Sequence, residues 1–355
     1  MTARKEDLYE TKENEVSYQR MVITEFGGPQ VLKLVEEARL PEPKPGEVRV
    51  KVLVTSAAFT DVMIRKGQYP DVKEKPPFSP GYDMVGVVDQ LGEGVTHTKV
   101  GQSVADLTVI GAYSEYLCLP ESRLTVVPEG LDPAEAVSLV LSYVTAYQML
   151  YRVAGVKQRQ RTLITGAGGA VGTAMLQLGR LLDLEMYGVA SPSKHDLVRK
   201  LGATPIDYRS EDISAAIHRL TPDGVDFAFD GVGGESLKRS FSALRRGGKL
   251  VAYGFSNFVL GKGGSIPLDF MRVILWNLLP NGRSTEFYSI GPLRKKHPEW
   301  FAEDLTKLLD LLAQNKIKPV IAKRMPLAEA RHAHELVEQA DVLGKIVLTV
   351  AETHS

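Results

Sequence analysis

The sequence is poor in cysteine and lacks long apolar runs, and each absence excludes a class of protein. Cys118 is the one cysteine among 355 residues, which excludes an intrachain disulfide framework and a thiolate zinc cluster. No stretch of about 18 uncharged apolar residues occurs, and the start lacks the basic-then-apolar pattern of a secretory leader. We therefore expect a cytoplasmic protein without a membrane partner.

Net charge is also missing, because 43 Lys and Arg residues balance 43 Asp and Glu residues. No overall field draws such a chain to nucleic acid, so we expect no nucleic-acid partner. Hydrophobic residues make up 44% and charged residues 24% of the chain, which is typical of a globular protein. This length favours two domains over one core, and two domains form a cleft.

Residues 1–20 contain several Glu and Lys residues and almost no large aliphatic ones. Such a segment cannot bury enough surface to offset the entropy lost on ordering. We expect a mobile tail, with an oligomer contact as the alternative.

Residues 21–142 have a strand-like pattern, as in the alternation of apolar and polar residues over 48–54. Turn signals rich in Pro and Gly are dense, at 41–46, 75–77, 80–81 and 92–94. Together they favour a compact antiparallel barrel.

Residues 143–284 alternate short apolar strands with helical patterns. The predicted strands cover 162–165, 186–190, 205–208, 225–229 and 249–253. Crossover connections of this kind indicate a parallel sheet covered on both faces. Residues 285–355 hold two amphipathic helices, 299–314 and 327–339, and a last strand, 345–350, that we expect to return to the first domain.

A glycine-rich turn, GAGGAVG over 166–172, directly follows the first of these strands and precedes a predicted helix at 173–182. Glycines let the backbone approach a pyrophosphate closely, and the N–H groups at a helix start favour anions. A glycine motif alone is weak evidence, but this strand–turn–helix setting predicts a dinucleotide site.

The end of the second strand indicates which dinucleotide binds. An acidic residue there binds the ribose 2′-hydroxyl of NAD, whereas this chain has Ser191 and Lys194. A hydroxyl and an ammonium suit a 2′-phosphate, so the pattern favours NADP, with Tyr208 either a wall of the same site or a surface tyrosine. The alternative is that Ser191 and Ser193 cap the following helix; both roles are compatible.

The longest specific motif is PFSPGYDMVGVV over 77–88, continued by glycines at 92, 94 and 101. Supporting segments lie at 59–70, 143–147, 163–172, 230–234 and 344–348. Over nearly all the chain after residue 20, these segments resemble the quinone oxidoreductase branch of the medium-chain dehydrogenase/reductase superfamily.

The resemblance implies an α/β protein with a GroES-like β-barrel catalytic domain and a Rossmann-type, doubly wound cofactor domain. It also implies NADPH in the cleft, small quinone, enone or enoyl thioester substrates, and a homodimer formed edge to edge through the cofactor domains. The residues that it assigns to the cofactor are Thr145, Gly166, Gly169, Ala170, Val171, Gly172, Ser191, Lys194, Tyr208, Tyr253, Gly254, Phe255, Phe287, Ser289 and Lys345. Of these, residues 253–255 and 287–289 are implied at the nicotinamide end, and Lys345 near the phosphate.

A zinc site of the kind found in alcohol dehydrogenases on this fold is not expected. Gly81-Tyr82-Asp83 stands where those enzymes have Gly-His-Glu, and Cys118 is more typical of a small core residue. His332 and His334 are two apart on a predicted helix and cannot both face one metal.

Substrate-lining positions depart from the family pattern. Many relatives have Asn where this chain has Ala58, and Asn is also common at Ser142. With Phe59 and Tyr82, these residues are expected to line the substrate, and the two substitutions indicate an altered substrate orientation or a narrower activity.

Reduction of a conjugated carbonyl needs a hydride, stabilisation of the enolate oxygen and a proton. Tyr69 is the first candidate catalytic residue because a neutral phenol donates a hydrogen bond; Tyr288 and Tyr82 are substitutes. The alternative is that Tyr69-Pro70 only packs a loop. Asp61 is expected to hold its own segment by hydrogen bonding rather than act as an acid.

The sequence supports an NADPH-dependent oxidoreductase that transfers hydride to a quinone or α,β-unsaturated carbonyl. Two other hypotheses use the same fold. One is a cofactor-binding, non-catalytic protein that binds a lipid or a partner, and the other is a biosynthetic enzyme with a non-redox step such as cyclisation.

Overall fold

The computed structural model describes residues 17–350, which form two large sheets and a short ribbon. The strands are β1 (Tyr18–Ile23), β2 (Leu32–Glu37), β3 (Glu47–Ala57), β4 (Met84–Leu91), β5 (Ser103–Asp106), β6 (Tyr116–Pro120), β7 (Thr125–Val126), β8 (Arg161–Thr165), β9 (Glu185–Val189), β10 (Ala203–Ile206), β11 (Val225–Asp230), β12 (Leu244–Ala252), β13 (Ser284–Phe287), β14 (Ile321–Pro326) and β15 (Lys345–Thr349).

The α-helices of the same residues alternate with these strands in the second half of the chain. They are α1 (Phe59–Arg65), α2 (Pro133–Ser138), α3 (Val144–Tyr147), α4 (Ala170–Leu181), α5 (His195–Lys200), α6 (Ile213–Leu220), α7 (Glu235–Ser242), α8 (Ser256–Val259), α9 (Ile266–Leu278), α10 (Ile290–Lys296), α11 (Pro298–Ala313) and α12 (Ala330–Gln339). Within residues 17–350, no helix combines the length and the hydropathy needed to cross a bilayer.

The second sheet confirms the predicted doubly wound class. Its six strands are all parallel, in the order β10-β9-β8-β11-β12-β13. Counted from β8, this is the order 3-2-1-4-5-6 of dinucleotide-binding sheets. The direction of winding reverses between β8 and β11, and the carboxyl ends of those two strands mark the place where such folds bind ligands.

Two details of this sheet differ from the sequence prediction. The third strand ends at Ile206 rather than at 208, because the Asp207 carboxylate accepts a hydrogen bond from the Arg209 N–H (3.0 Å) and starts a turn. The sixth strand, β13, was not predicted, and it carries the parallel sheet to Phe287, past the expected boundary at 284. Its sequence, STEF, is too short and polar to show a buried-strand pattern.

The first sheet is built around β3, whose eleven residues alternate in burial along its first half. β3 pairs antiparallel with β4, β6 and β15, and the sheet runs in the order β14-β15-β3-β4-β5-β7. Pairing with β15 brings the end of the chain back to this domain. The predicted fold class, a GroES-like barrel domain beside a parallel-sheet domain, is therefore confirmed.

A helical segment lies between the two sheets. It runs through α2, a π-helical turn at Leu139–Tyr143, α3 and a second π-helical turn at Gln148–Val153. The expected boundary between residues 142 and 143 falls inside this segment. Most of it is buried, so its apolar residues lack the one-sided period that identifies a surface helix. The segment carries Ser142 and Thr145 to the domain junction.

The expected mobile tail is wrong for its last residues. Residues 18–20 belong to β1, where Tyr18 pairs with Glu37 and Arg20 with Val35 of β2. Cross-strand hydrogen bonds order this segment despite its polar composition. Residues 1–16, the rest of the predicted tail, lie outside the described residues.

A buried polar network joins α12 to α1 and the barrel. Arg65 donates to His334 Nδ1 (3.1 Å) and forms an ion pair with Glu338 (3.0 Å). The other imidazole nitrogen, Nε2, lies 3.0 Å from the Tyr113 hydroxyl, which in turn donates to the Ser56 carbonyl (3.2 Å). Because Nδ1 must accept from a guanidinium, Nε2 carries the proton and the ring is neutral.

Burial and the Arg65 charge lower the pKa of His334 from 6.5 to about 3. The folded state therefore binds fewer protons than the unfolded state between those two values. The contribution of neutral His334 to stability is complete above about pH 6.5 and is lost as the pH falls towards 3.

We predict that His334→Gln weakens the acid dependence of the free energy of unfolding. For the natural protein the contribution of this residue changes by up to about 1.4 kcal/mol per pH unit within the window. Urea denaturation at several pH values between 4 and 7 measures the slope. His97→Gln, at an exposed position, is the matched control and should keep the natural slope; equal slopes for all three proteins would contradict the prediction.

Candidate active site

The glycine-rich turn lies at the carboxyl end of β8, where the winding of the parallel sheet reverses. Gly166 has a φ of +64°, in the left-handed region that favours glycine. A Cβ added to Gly172 would lie 2.3 Å from the Gly166 carbonyl oxygen, so no larger residue fits the first turn of α4. The turn is therefore as tight as a pyrophosphate cradle requires.

The start of α4 offers hydrogen-bond donors to an anion. Gly169 precedes the helix and contributes no side-chain cap, so the first N–H groups, at Ala170, Val171 and Gly172, have no partner within the helix. These donors and the helix dipole favour negative charge. The residues present fit the pyrophosphate of a dinucleotide.

The return segment of the chain closes over this turn. The Gly344 N–H donates to the Gly168 carbonyl (2.9 Å), and Gly169 and Gly344 form an isolated parallel bridge. The end of the barrel domain thus touches the cofactor turn directly.

Ser191 and Lys194 follow β9 on the same edge of the sheet, as predicted. The Ser191 hydroxyl lies 3.2 Å from that of Ser193, and neither makes a side-chain cap to the Pro192–Lys194 turn or to α5. The structure therefore does not support the alternative that these serines cap the following helix. Both hydroxyls stay available to a phosphate.

Lys194 is more engaged than the sequence suggests. Its ammonium donates to the carbonyls of Ala340 and Val342 (both 2.9 Å), and burial lowers its pKa. Because an ammonium has three donors, one remains for a ligand. Its stem lies across Gly168, where an added Cβ would lie 2.7 Å from Lys194 Cδ.

The turn after the third strand contributes Tyr208 and Arg209, a residue that the sequence analysis missed. Tyr208 is exposed, and the Arg209 guanidinium lies 5.7 Å from the centroid of its ring. Ile206, the last residue of β10, pairs with Val189, the last residue of β9. The turn with Tyr208 and Arg209 therefore begins beside the loop that carries Ser191. The signal for Arg209 was its position directly after Tyr208, where a second cation suits a 2′-phosphate.

The residues assigned to the nicotinamide end lie at the carboxyl ends of β12 and β13. Phe255 and Phe287 stack with ring centroids 5.4 Å apart. Tyr253 packs on Gly231, where an added Cβ would lie 2.7 Å from its ring. Gly254 and Ser289 continue the two strands. The structure therefore brings this predicted set together at one edge.

Tyr288 is buried, and its hydroxyl donates to Gln148 Oε1 (2.9 Å). Gln148 donates in turn to Asp304 (3.1 Å), which Arg152 neutralises at 2.8 Å. Burial raises the pKa of Tyr288, while the Thr145 hydroxyl beside it acts in the opposite direction. A hydroxyl already held in such a chain orients the segment, so Tyr288 is a weaker catalytic candidate than Tyr69.

Tyr69 and Tyr82 form a pair. Their hydroxyl oxygens lie 2.5 Å apart and their rings pack edge to face, with centroids 5.6 Å apart. Burial raises the pKa of both phenols, so both are neutral at physiological pH. Tyr69 is partly exposed, whereas Tyr82 is 0% exposed. The expectation that Tyr82 lines the substrate is not met, because Tyr82 lies behind Tyr69.

Lys345 does not lie where the resemblance implied. It is the first residue of β15, and its ammonium pairs with Asp83 Oδ2 (3.1 Å) and lies 3.4 Å from the Ser142 hydroxyl. Asp83 also accepts from the Ser56 hydroxyl (2.5 Å). A buried carboxylate requires a cation, so Lys345 neutralises Asp83 rather than a phosphate. Ser142 is buried, and its hydroxyl belongs to the same cluster.

Asp61 lies at the start of α1, beside the substrate-lining candidates Ala58 and Phe59. Its Oδ2 accepts from the Ala58 N–H (3.0 Å), which agrees with the expected holding role, and its buried Oδ1 has no hydrogen-bond partner among the described residues. Burial and then the nearby Asp83 charge raise its pKa to about 8. Asp61 is therefore mostly protonated at neutral pH and adds little negative charge to the site.

Among residues 17–350, no group of three or more His, Cys, Asp or Glu side chains is arranged to hold a metal ion. His334 is fully used by Arg65 and Tyr113, and Cys118 contacts the Pro41 carbonyl at 3.6 Å.

Sequence profiles agree with this architecture. The alcohol dehydrogenase GroES-like domain matches residues 44–129, and a zinc-binding dehydrogenase domain matches residues 201–348. The chain is 32% identical over 349 residues to the synaptic vesicle membrane protein VAT-1 homolog of Danio rerio, covering 95% of this chain and 71% of that one. It is 31% identical over 343 residues to 2-haloacrylate reductase of Burkholderia sp, covering 92% and 97%.

The fold is also similar to the crystal structure of Escherichia coli quinone oxidoreductase complexed with NADPH, with a TM-score of 0.84 and 26% identity over 93% of this chain and 99% of that one. The chain thus has the architecture of a class of oxidoreductases, a GroES-like barrel beside a Rossmann-type parallel sheet. It belongs to the medium-chain dehydrogenase/reductase superfamily, in the zinc-independent quinone oxidoreductase branch.

Proposed function

We propose that the protein is an NADPH-dependent reductase that delivers hydride to a quinone or α,β-unsaturated carbonyl compound held between its two domains. The observation that carries the proposal is the tight glycine turn and uncapped start of α4 at the reversal point of the parallel sheet. Similarity to a quinone oxidoreductase and to a 2-haloacrylate reductase supports the same class of acceptor.

The preference for NADPH is supported by the groups near the predicted 2′-phosphate position. Ser191 and Lys194 stand where a carboxylate binds the ribose of NAD, and Arg209 adds a guanidinium beside Tyr208. Two cations and the Ser191 hydroxyl favour a dianionic phosphate.

The residues of the chain divide the work of the reaction. The bound cofactor supplies the hydride. The α4 N–H groups hold the pyrophosphate, and the aromatic residues after β12 and β13 shape the nicotinamide end. Tyr69 would donate a hydrogen bond to the substrate carbonyl oxygen, where negative charge would grow on hydride transfer, and a proton from water would complete the reduction of the enolate. Neutral Asp61 avoids repelling that charge.

We predict that the purified protein consumes NADPH with at least one member of a panel of cyclohexenone, benzoquinone, a haloacrylate and a crotonyl thioester. It should bind NADPH at least about tenfold more tightly than NADH, a difference of about 1.4 kcal/mol. Absorbance of the reduced cofactor measures turnover, and fluorescence titration measures both dissociation constants.

Lys194→Gln keeps a donor for the Ala340 and Val342 carbonyls and removes the charge, so it should narrow the preference for NADPH over NADH. Lys200→Ala, an exposed lysine of α5, should not. An unchanged preference in Lys194→Gln contradicts the phosphate assignment. Tight NADPH binding without turnover of any panel member favours the non-catalytic binding hypothesis instead.

We propose a homodimer formed through α9 and β13. α9 exposes apolar side chains, including Ile274 at 60% and Leu278 at 74%. The same helix packs on β13, where the Thr285 hydroxyl donates to the Val273 carbonyl. β13 is the edge strand of the parallel sheet. A two-fold axis at this edge would cover the apolar face and pair the open strand of each subunit.

We predict that the protein sediments as a dimer and that Ile274→Glu shifts it to monomer by placing a charge in the apolar contact. Val100→Glu changes an exposed apolar residue of the other domain and should remain dimeric. Analytical ultracentrifugation across micromolar concentrations measures the equilibrium. A monomeric natural protein, or a dimer that tolerates Ile274→Glu, contradicts this surface.

We also propose that the protein acts in the reducing cytoplasm. Its single thiol, Cys118, is partly buried, and burial raises its pKa to about 11. Such a thiol is a poor nucleophile at neutral pH and requires no oxidising compartment.

A further inference from the structure

The direction of the hydrogen bond between Tyr82 and Tyr69 follows from the number of hydrogens that the two phenols carry. Each phenol carries one hydrogen, and the 2.5 Å separation of the two oxygens requires that one donate to the other. Tyr82 is 0% exposed, and within residues 17–350 its hydroxyl bonds only to Tyr69. The direction therefore depends on which hydrogen is left over.

If Tyr69 donated to Tyr82, the Tyr82 hydrogen would be buried without an acceptor, which is costly. If Tyr82 donates to Tyr69, the leftover hydrogen belongs to Tyr69, which is partly exposed and can reach a ligand. Only the second arrangement gives the buried Tyr82 hydrogen an acceptor. The hydrogen bond from Tyr82 also lowers the pKa of Tyr69 against the larger effect of burial.

The Tyr69 loop lies against the segment that follows β13. Asp71 is so close to Gly291 that an added Cβ there would lie 2.5 Å from its carboxylate, and Lys295 lies 3.8 Å from the same side chain. Residues 287–289, assigned to the nicotinamide end, immediately precede this contact. Tyr69 therefore lies at the junction of the two domains, on the side of the proposed hydride donor.

We propose that Tyr82 is a positioning residue that donates its hydrogen to the Tyr69 oxygen, polarises that hydroxyl and directs the remaining Tyr69 hydrogen to the substrate carbonyl. No bond forms or breaks in Tyr82, which keeps its proton throughout. The inference rests on the proposed reductase function. It makes the fully buried Tyr82 part of the site although Tyr82 touches neither substrate nor cofactor.

A double-mutant cycle in kcat with cyclohexenone tests the order of the pair. Tyr82→Phe should lower kcat by roughly three- to tenfold, the effect of one hydrogen bond, and leave the NADPH dissociation constant unchanged. Tyr69→Phe should lower kcat further. Because Tyr82 acts through Tyr69, the double variant should equal Tyr69→Phe alone. Effects that multiply in the double variant would overturn the inference.

Tyr143→Phe is the matched control for loss of a buried hydroxyl. Tyr143 is also buried, but its hydroxyl has no hydrogen-bond partner among the described residues. Its removal should leave kcat unchanged. If Tyr143→Phe lowers kcat as much as Tyr82→Phe, the effect of Tyr82 is one of packing and the inference is wrong.

The carbonyl stretch of cyclohexanone bound with oxidised NADP provides a readout that needs no turnover. Infrared spectra should show the lowest frequency in the natural protein, a higher one in Tyr82→Phe, and the highest, equal values in Tyr69→Phe and the double variant. This order without reduction of any panel compound supports the pair and rejects the reductase. Reduction with an unchanged frequency in Tyr82→Phe rejects the pair and keeps the reductase.

Discussion

The geometry of the cleft depends on two neighbouring residues near the end of the chain, Gly344 and Lys345. The Gly344 N–H binds the Gly168 carbonyl of the cofactor turn, while the Lys345 ammonium binds Asp83 of the barrel domain. Gly344 has a φ of +82°, and an added Cβ would lie 2.1 Å from the Val320 carbonyl oxygen. Glycine is therefore required, and one dipeptide sets the distance between the phosphate cradle and the barrel.

The charges of the domain junction are arranged around this link. Lys345 pairs with Asp83, and burial and the Asp83 charge keep Asp61 mostly protonated at neutral pH against the weaker, opposite effect of Lys345. Two carboxyl groups thus share one ammonium, and the site stays close to neutral. In a site close to neutral, no full negative charge opposes the charge that develops on an enolate accepting a hydrogen bond from a phenol.

The parts of the fold with local patterns could be predicted from the sequence. The strand–turn–helix at 161–181 has a repeating signal in its glycines and apolar runs, and the structure shows it within a few residues of the predicted bounds. β13 could not be predicted because three of the four residues in STEF are polar. The helical segment through Ser142 could not be predicted well because a buried helix has no polar face to give it a period. Both are defined by tertiary packing.

The site residues also differ in whether a local sequence pattern or tertiary packing determines their position. The position of Ser191 follows from the strand before it, whereas the partner of Lys345 is 262 residues away in the chain. The Tyr69–Tyr82 contact joins residues separated by a loop whose course the sequence does not specify. Arg209 was missed because its exposed position gives no pattern, although it directly follows Tyr208.

The central claim is that the turn at 166–172 holds the phosphates of NADPH between the two domains, and a crystal structure of the complex tests it most directly. The account predicts density for the pyrophosphate within hydrogen-bond distance of the Ala170 and Val171 N–H groups, with the 2′-phosphate beside Ser191, Lys194 or Arg209. A complex at saturating NADPH with the dinucleotide elsewhere, or with no bound dinucleotide, would contradict it.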